Sequence, residues 1–123
     1  MTMFIMMCDG GRKKEYAYGS FKVWDEEGEL VYEEWKIFDD ITSNESEYAI
    51  LVAGLDWLVE NNIKKIIIYS DSALVVNQIL GEWDCKHDHL QAYLTQIRER
   101  EPKFEKLKVM KVTGKLVKHF LGH

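Results

Sequence analysis

The spacing of apolar residues changes several times along the chain. Met3–Cys8 is an unbroken apolar run, and "DGGRKK" after it reads as a turn. Tyr16–Trp24 ("YAYGSFKVW") and Leu30–Phe38 ("LVYEEWKIF") are rich in aromatic and β-branched residues, and the polar turn Asp25–Glu29 separates them. Short polar connections between strand-like runs predict an antiparallel three-strand meander. The period then becomes helical. Tyr48, Leu51, Val52, Leu55, Leu58 and Val59 share one face of a helix that starts near Thr42 and closes at Asn61 and Asn62. Thr42 with Glu45 has the capping-box spacing, with Ser43/Ser46 and Asn44/Glu47 as neighbouring alternatives. Ile63–Tyr69 reads as a fourth strand, Ser72–Leu80 as a short helix stopped by Gly81, and His87–Arg100 as a helix ended near Pro102. Leu107–Val112 reads as a fifth strand, Gly114 as a break and Lys115–Leu121 as a terminal helical turn or two. The order β-β-β-α-β-α-α-β-α predicts an α/β fold with a mixed five-stranded sheet, the meander plus two parallel strands, and helices on both faces.

Composition narrows the class. With 123 residues, 46% hydrophobic and 30% charged, the chain reads as one globular domain, 1–123, and not as a disordered segment. Cys8 and Cys85 lack the density of a disulfide scaffold, so both read as free thiols. Met3–Cys8 is too short to span a membrane. It also lacks the basic flank and cleavage site of a signal peptide, so a cytoplasmic protein without a membrane partner is expected. The net charge of −5 argues against a purely electrostatic nucleic-acid binder. Charge is uneven, however. From Lys103 onward six lysines face one acid, Glu105, which leaves −10 on the rest. That tail reads either as a solvated face or as a local patch for phosphates.

Three carboxylates carry the candidate chemistry. "YSDSALVV" ends a buried strand on Asp71 where a helix begins, and "FIMMCDGG" ends the first strand on Asp9 in the same way. If those strands are parallel neighbours, both acids stand at one sheet end, where ligands of open α/β sheets bind. Glu47, in the first turn of the long helix, can point back to the same end. Taken singly, Asp71 reads as a helix cap, Asp9 as a turn residue and Glu47 as an acid favoured by the helix dipole. Taken together, three converging acids repel one another unless a cation joins them. Hard oxygen donors select Mg²⁺ or Mn²⁺. A pair of such ions roughly 3.5–4 Å apart activates water and stabilises the leaving oxygen of a phosphodiester.

"CDGG", "TSNESEYAIL" and "IIIYSDSALVVNQILGEW", with the element order, resemble type 1 ribonuclease H over essentially the whole chain. The resemblance implies a metal-dependent endonuclease that cuts the RNA strand of RNA–DNA hybrids with two divalent ions and leaves a 5′-phosphate and a 3′-hydroxyl. It implies Asp9, Glu47 and Asp71 as ligands. Gly10, Gly11, Ser43, Asn44 and Ser72 would approach the minor groove, where 2′-hydroxyls distinguish RNA from DNA. Thr42 would help hold a DNA phosphate at the helix N-terminus. Three departures stand out. No acid follows Glu105, and the best match to the family's last helix, "VKHFLG", sets His119 in place of a fourth catalytic carboxylate. Imidazole is the softer ligand, which tilts the expected preference towards Mn²⁺. "GEWDCKHDHLQAYL" is short, so the form expected is compact and lacks a basic protrusion. "KVTGK" holds no histidine, leaving His123 as the remaining candidate for the family's mobile histidine. A monomer is expected. The alternatives are a weakened nucleic-acid-binding module on this fold, or another nuclease of the superfamily.

Overall fold

The computed structural model describes residues 3–122. The strands are β1 (Phe4–Arg12), β2 (Ala17–Trp24), β3 (Leu30–Phe38), β4 (Lys65–Ser70) and β5 (Lys106–Lys111). The helices are α1 (Ser43–Glu60), α2 (Ala73–Ile79), α3 (Asp88–Arg100) and α4 (Gly114–Leu121), with a 3₁₀ turn at Glu101–Lys103. One sheet runs β3-β2-β1-β4-β5. β1, β2 and β3 form the expected antiparallel meander, and β4 and β5 are parallel to β1.

Alternation along β1 divides the apolar residues between two faces. Met6 and Cys8 face α1, α2 and α3 and join a core with Phe21, Tyr48, Leu51, Leu55 and Ile68. Met7 faces the other way and packs with Val117 and Leu121 of α4. Period-2 strands between helices thus account for both hydrophobic layers. Among the described residues no helix is long and apolar enough to cross a membrane.

The boundaries differ where pairing outlasts the apolar pattern. β1 continues past Cys8 to Arg12, through the residues read as a turn. Its antiparallel partner β2 still supplies rungs there, Gly10↔Gly19 and Arg12↔Ala17, although the parallel pairing to β4 ends at Met7↔Tyr69. The true turn is closed by Lys13 N–H donating to Tyr16 O at 2.8 Å. Gly114 does not break the chain but opens α4, because the Thr113 side chain caps that helix by accepting from Leu116 N. Asp71 does not cap α2; Ser72 does, accepting from Val75 N at 3.2 Å. The carboxylate of Asp71 is therefore left for another use.

Candidate active site

The sheet register places two of the acids. Asp9 and Asp71 each lie two residues beyond the last parallel rung, Met7↔Tyr69. Two parallel strands thus extend equally and carry a carboxylate each at the same sheet end. Glu47 reaches them because α1 crosses β1 with almost no gap. A Cβ on Gly10 would lie 2.7 Å from the Glu47 backbone N and from the Ser46 carbonyl carbon, so only glycine admits the helix there. Ser46 Oγ donates to Gly11 O at 3.2 Å or to Ser43 O at 2.7 Å, tying the start of α1 to β1. Arg12 secures the preceding loop, donating to Ile41 O at 2.8 Å and pairing with Asp40 at 2.7 Å. Thr42 and Glu45 form the full capping box.

Ligand atoms of Asp9, Glu47 and Asp71 all lie within 4.8 Å of one another. Burial, then the charge of Asp71, pushes the Asp9 carboxyl up to about 6. Burial, then the charges of Asp9 and Asp71, pushes Glu47 up to about 9. At neutral pH without a cation, Glu47 therefore holds a proton and shares it with Asp9. Cys8 feels the same field: burial first, then Glu47, Asp9 and Asp71, raises its thiol well above the usual range.

Glu47 Oε2 is buried and has no hydrogen-bond partner, an exception among buried polar atoms that calls for a ligand. An all-oxygen donor set with one orphaned oxygen and mutually repelling charges fits a hard divalent cation. Such a cation would be held by Asp9, Glu47 and Asp71.

The other expected residues divide. Gly10 and Gly11 lie on β1 beside the cluster, and Thr42, Ser43 and Asn44 are exposed at the α1 start. Ser72 caps α2 next to Asp71, and its amide donates to buried Ser70 Oγ at 3.1 Å. His119 is not brought to the cluster: its ligand atoms lie outside the group. The reason is helix phase. α4 opens at Gly114, whose Cβ position is 3.2 Å from Asp71 Oδ2, while His119 comes five residues later, about 7.5 Å along the axis. There it is exposed and stands edge-on to Phe120, with ring centroids 5.1 Å apart. His123 lies outside the described residues. Ser46, Ser70 and Arg12 escaped the sequence reading as site-building residues. The only signal for Ser46 was its spacing from Ser43.

These features define a ribonuclease H-like domain: a five-stranded mixed sheet with acids just beyond the parallel pairing of β1 and β4 and a third on α1. The described fold superimposes on RNase H1 of Halobacterium salinarum NRC-1 with a TM-score of 0.90 at 23% identity, over 94% of this chain and 89% of that one. The N-terminal RNase H domain of rv2228c from Mycobacterium tuberculosis gives 0.90 at 25%, over 97% and 88%. LC11-RNase H1, solved in complex with an RNA/DNA hybrid, gives 0.87 at 20%, over 94% and 89%. In sequence, the bifunctional protein Rv2228c of M. tuberculosis is 31% identical over 107 residues, 84% of this chain. The chain spans only 29% of that protein's length. Residues 8–113 match the family described as reverse transcriptase-like, and the chain belongs to it.

Proposed function

We propose that the chain is a metal-dependent endonuclease that hydrolyses the RNA strand of RNA–DNA hybrids. The observation that carries this reading is the half-buried triad Asp9, Glu47 and Asp71, with the buried Glu47 Oε2 left unpartnered. Two Mg²⁺ or Mn²⁺ ions held there would supply the Lewis acidity that activates water and stabilises the leaving 3′-oxygen. The protein's own share is positional. Paired strands fix Asp9 and Asp71, and the Gly10 approach fixes the depth of Glu47. Thr42, Ser43 and Asn44 present a helix start to a backbone phosphate or the minor groove, with Gly10, Gly11 and Ser72 flanking the acids. The product carries a 5′-phosphate. Three carboxylates hold the metals in this reading, and His119 does not act as the fourth ligand.

The lack of a fourth carboxylate in the group among the described residues, with Gly114 and not an acid standing against Asp71, favours a second reading, a weakened hybrid-binding module. Cleavage of a labelled RNA–DNA hybrid in Mg²⁺ and in Mn²⁺ separates the two. Single-stranded RNA, double-stranded RNA and double-stranded DNA serve as competing substrates, and Asp71→Asn as the control protein. Hybrid-only cleavage that disappears in Asp71→Asn supports the enzyme. Binding without cleavage in either metal supports the module, and cleavage of duplex DNA points to another nuclease of the superfamily.

A further inference from the structure

A groove of about 500 Å³ opens on the α4 face of the meander, walled by Lys13, Tyr18, Ser20, Lys22 and Trp35 on one side and Leu121 on the other. It is joined to the acids by the sheet itself. Asp9, Ser20 and Trp35 occupy a single rung across β1, β2 and β3, on the same face. Trp35 is therefore two strand spacings from Asp9, roughly 9.5 Å. That is about three steps of stacked bases.

The groove's floor has the make-up of a base-stacking platform. Tyr18 and Trp35 stack with centroids 5.0 Å apart and planes 16° from parallel. Trp35 keeps 53% of its surface exposed, so a large aromatic surface faces solvent next to the catalytic acids. Lys13 Nζ stands 5.8 Å above the Tyr18 ring and makes no ion pair among the described residues. Glu33 and Glu34 also line the groove, but each carboxylate faces a lysine, Lys22 at 3.7 Å and Lys36 at 3.3 Å. One uncommitted cation beside an aromatic stack matches the pairing of phosphate and base in single-stranded nucleic-acid sites. Bases inside a duplex are already stacked and cannot enter.

We propose that this groove binds an unpaired ribonucleotide flanking the hybrid, its base on Trp35 and its phosphate near Lys13. The proposal rests on the hybrid-nuclease reading and makes the protein selective for hybrids that carry a single-stranded RNA extension. Lys13 supplies charge, and the Tyr18–Trp35 stack supplies a sequence-tolerant surface.

The test is binding by fluorescence anisotropy in chelator, so that nothing is cut. The probes are a blunt 12-base-pair RNA–DNA hybrid, the same hybrid with four unpaired adenosines on the 5′ or 3′ RNA end, and octa-adenylate alone. The proteins are wild type, Trp35→Ala and Trp35→Phe, each checked for folding by circular dichroism. Wild type is expected to bind one of the extended hybrids five- to thirtyfold more tightly than the blunt one, about the size of one base stack. Trp35→Ala should erase that difference without changing blunt-hybrid affinity, and Trp35→Phe should restore most of it. Equal affinity for blunt and extended probes overturns the proposal, as does a preference that survives Trp35→Ala. If the blunt hybrid is neither bound nor cut, the hybrid reading fails. Octa-adenylate then still decides the groove: binding lost in Trp35→Ala supports it, and no binding overturns it.

Discussion

Replacing Glu47 by glutamine should stabilise the metal-free protein while abolishing its response to Mg²⁺. In the unfolded chain this carboxyl titrates at its ordinary value of 4.5, whereas in the fold burial and the neighbouring aspartates raise it to about 9. A raised folded-state value means the favourable contribution is complete below pH 4.5 and is lost as pH rises towards 9. At pH 7 the fold must hold a proton that the unfolded chain has released. The difference from 4.5 is 2.5 pH units at about 1.36 kcal/mol each, a cost of about 3 kcal/mol. Glutamine has no such cost, and its amide can donate to Asp9 in place of the shared proton. Urea unfolding in chelator should therefore show wild-type stability falling between pH 5 and 9 by up to about 1.4 kcal/mol per unit, and a much flatter profile for Glu47→Gln. At pH 7 the variant should lead by about 2–3 kcal/mol. With Mg²⁺ at 100 times its dissociation constant the wild type should gain about 2.7 kcal/mol and the variant almost nothing. A wild-type profile that is flat from pH 5 to 8.5 in chelator, or a variant less stable at pH 7, would refute the argument.

Other consequences are more local. Gly10→Ala sets a methyl 2.7 Å from α1 backbone, which no side-chain rotation relieves; a loss of about 3 kcal/mol or more in chemical denaturation, with weakened Mn²⁺ binding, is expected. Tyr48→Phe removes the hydroxyl that donates to buried Gln78 Oε1 at 2.5 Å, so a loss of about 1–3 kcal/mol should appear as a Tm lower by several degrees in calorimetry. Thr42→Ala deletes the α1 cap and should cost about 1 kcal/mol in urea unfolding, with hybrid KM rising more than kcat falls.

Much of the fold was legible because the signals were local. The capping box at Thr42 and Glu45, the helical spacing from Tyr48 to Val59 and the β-branched run before Asp71 each report on a few adjacent residues. The three acids were legible because two close apolar runs and one lies in the first turns of a helix. What escaped depends on partners distant in sequence. β1 continues through two glycines because β2 is there to pair with, and no pattern within "DGGRKK" says so. The role of Ser46 depends on the Gly11 carbonyl, 35 residues away. His119 was placed by aligning a motif, but the phase of α4 is set by Thr113 and by packing of Val117 and Leu121 on Met7. That phase turns Gly114 towards Asp71 and leaves His119 in solvent.

The equal overhang of Asp9 and Asp71 beyond the Met7↔Tyr69 rung has a consequence for the life of the molecule. A slip of one residue between β1 and β4 would move one acid about 3.3 Å along the sheet and turn it to the opposite face. Misregistered chains would then lose the cation site along with the core. A divalent cation bound at the three acids would then stabilise only chains in the correct register, tying ligand binding to strand pairing.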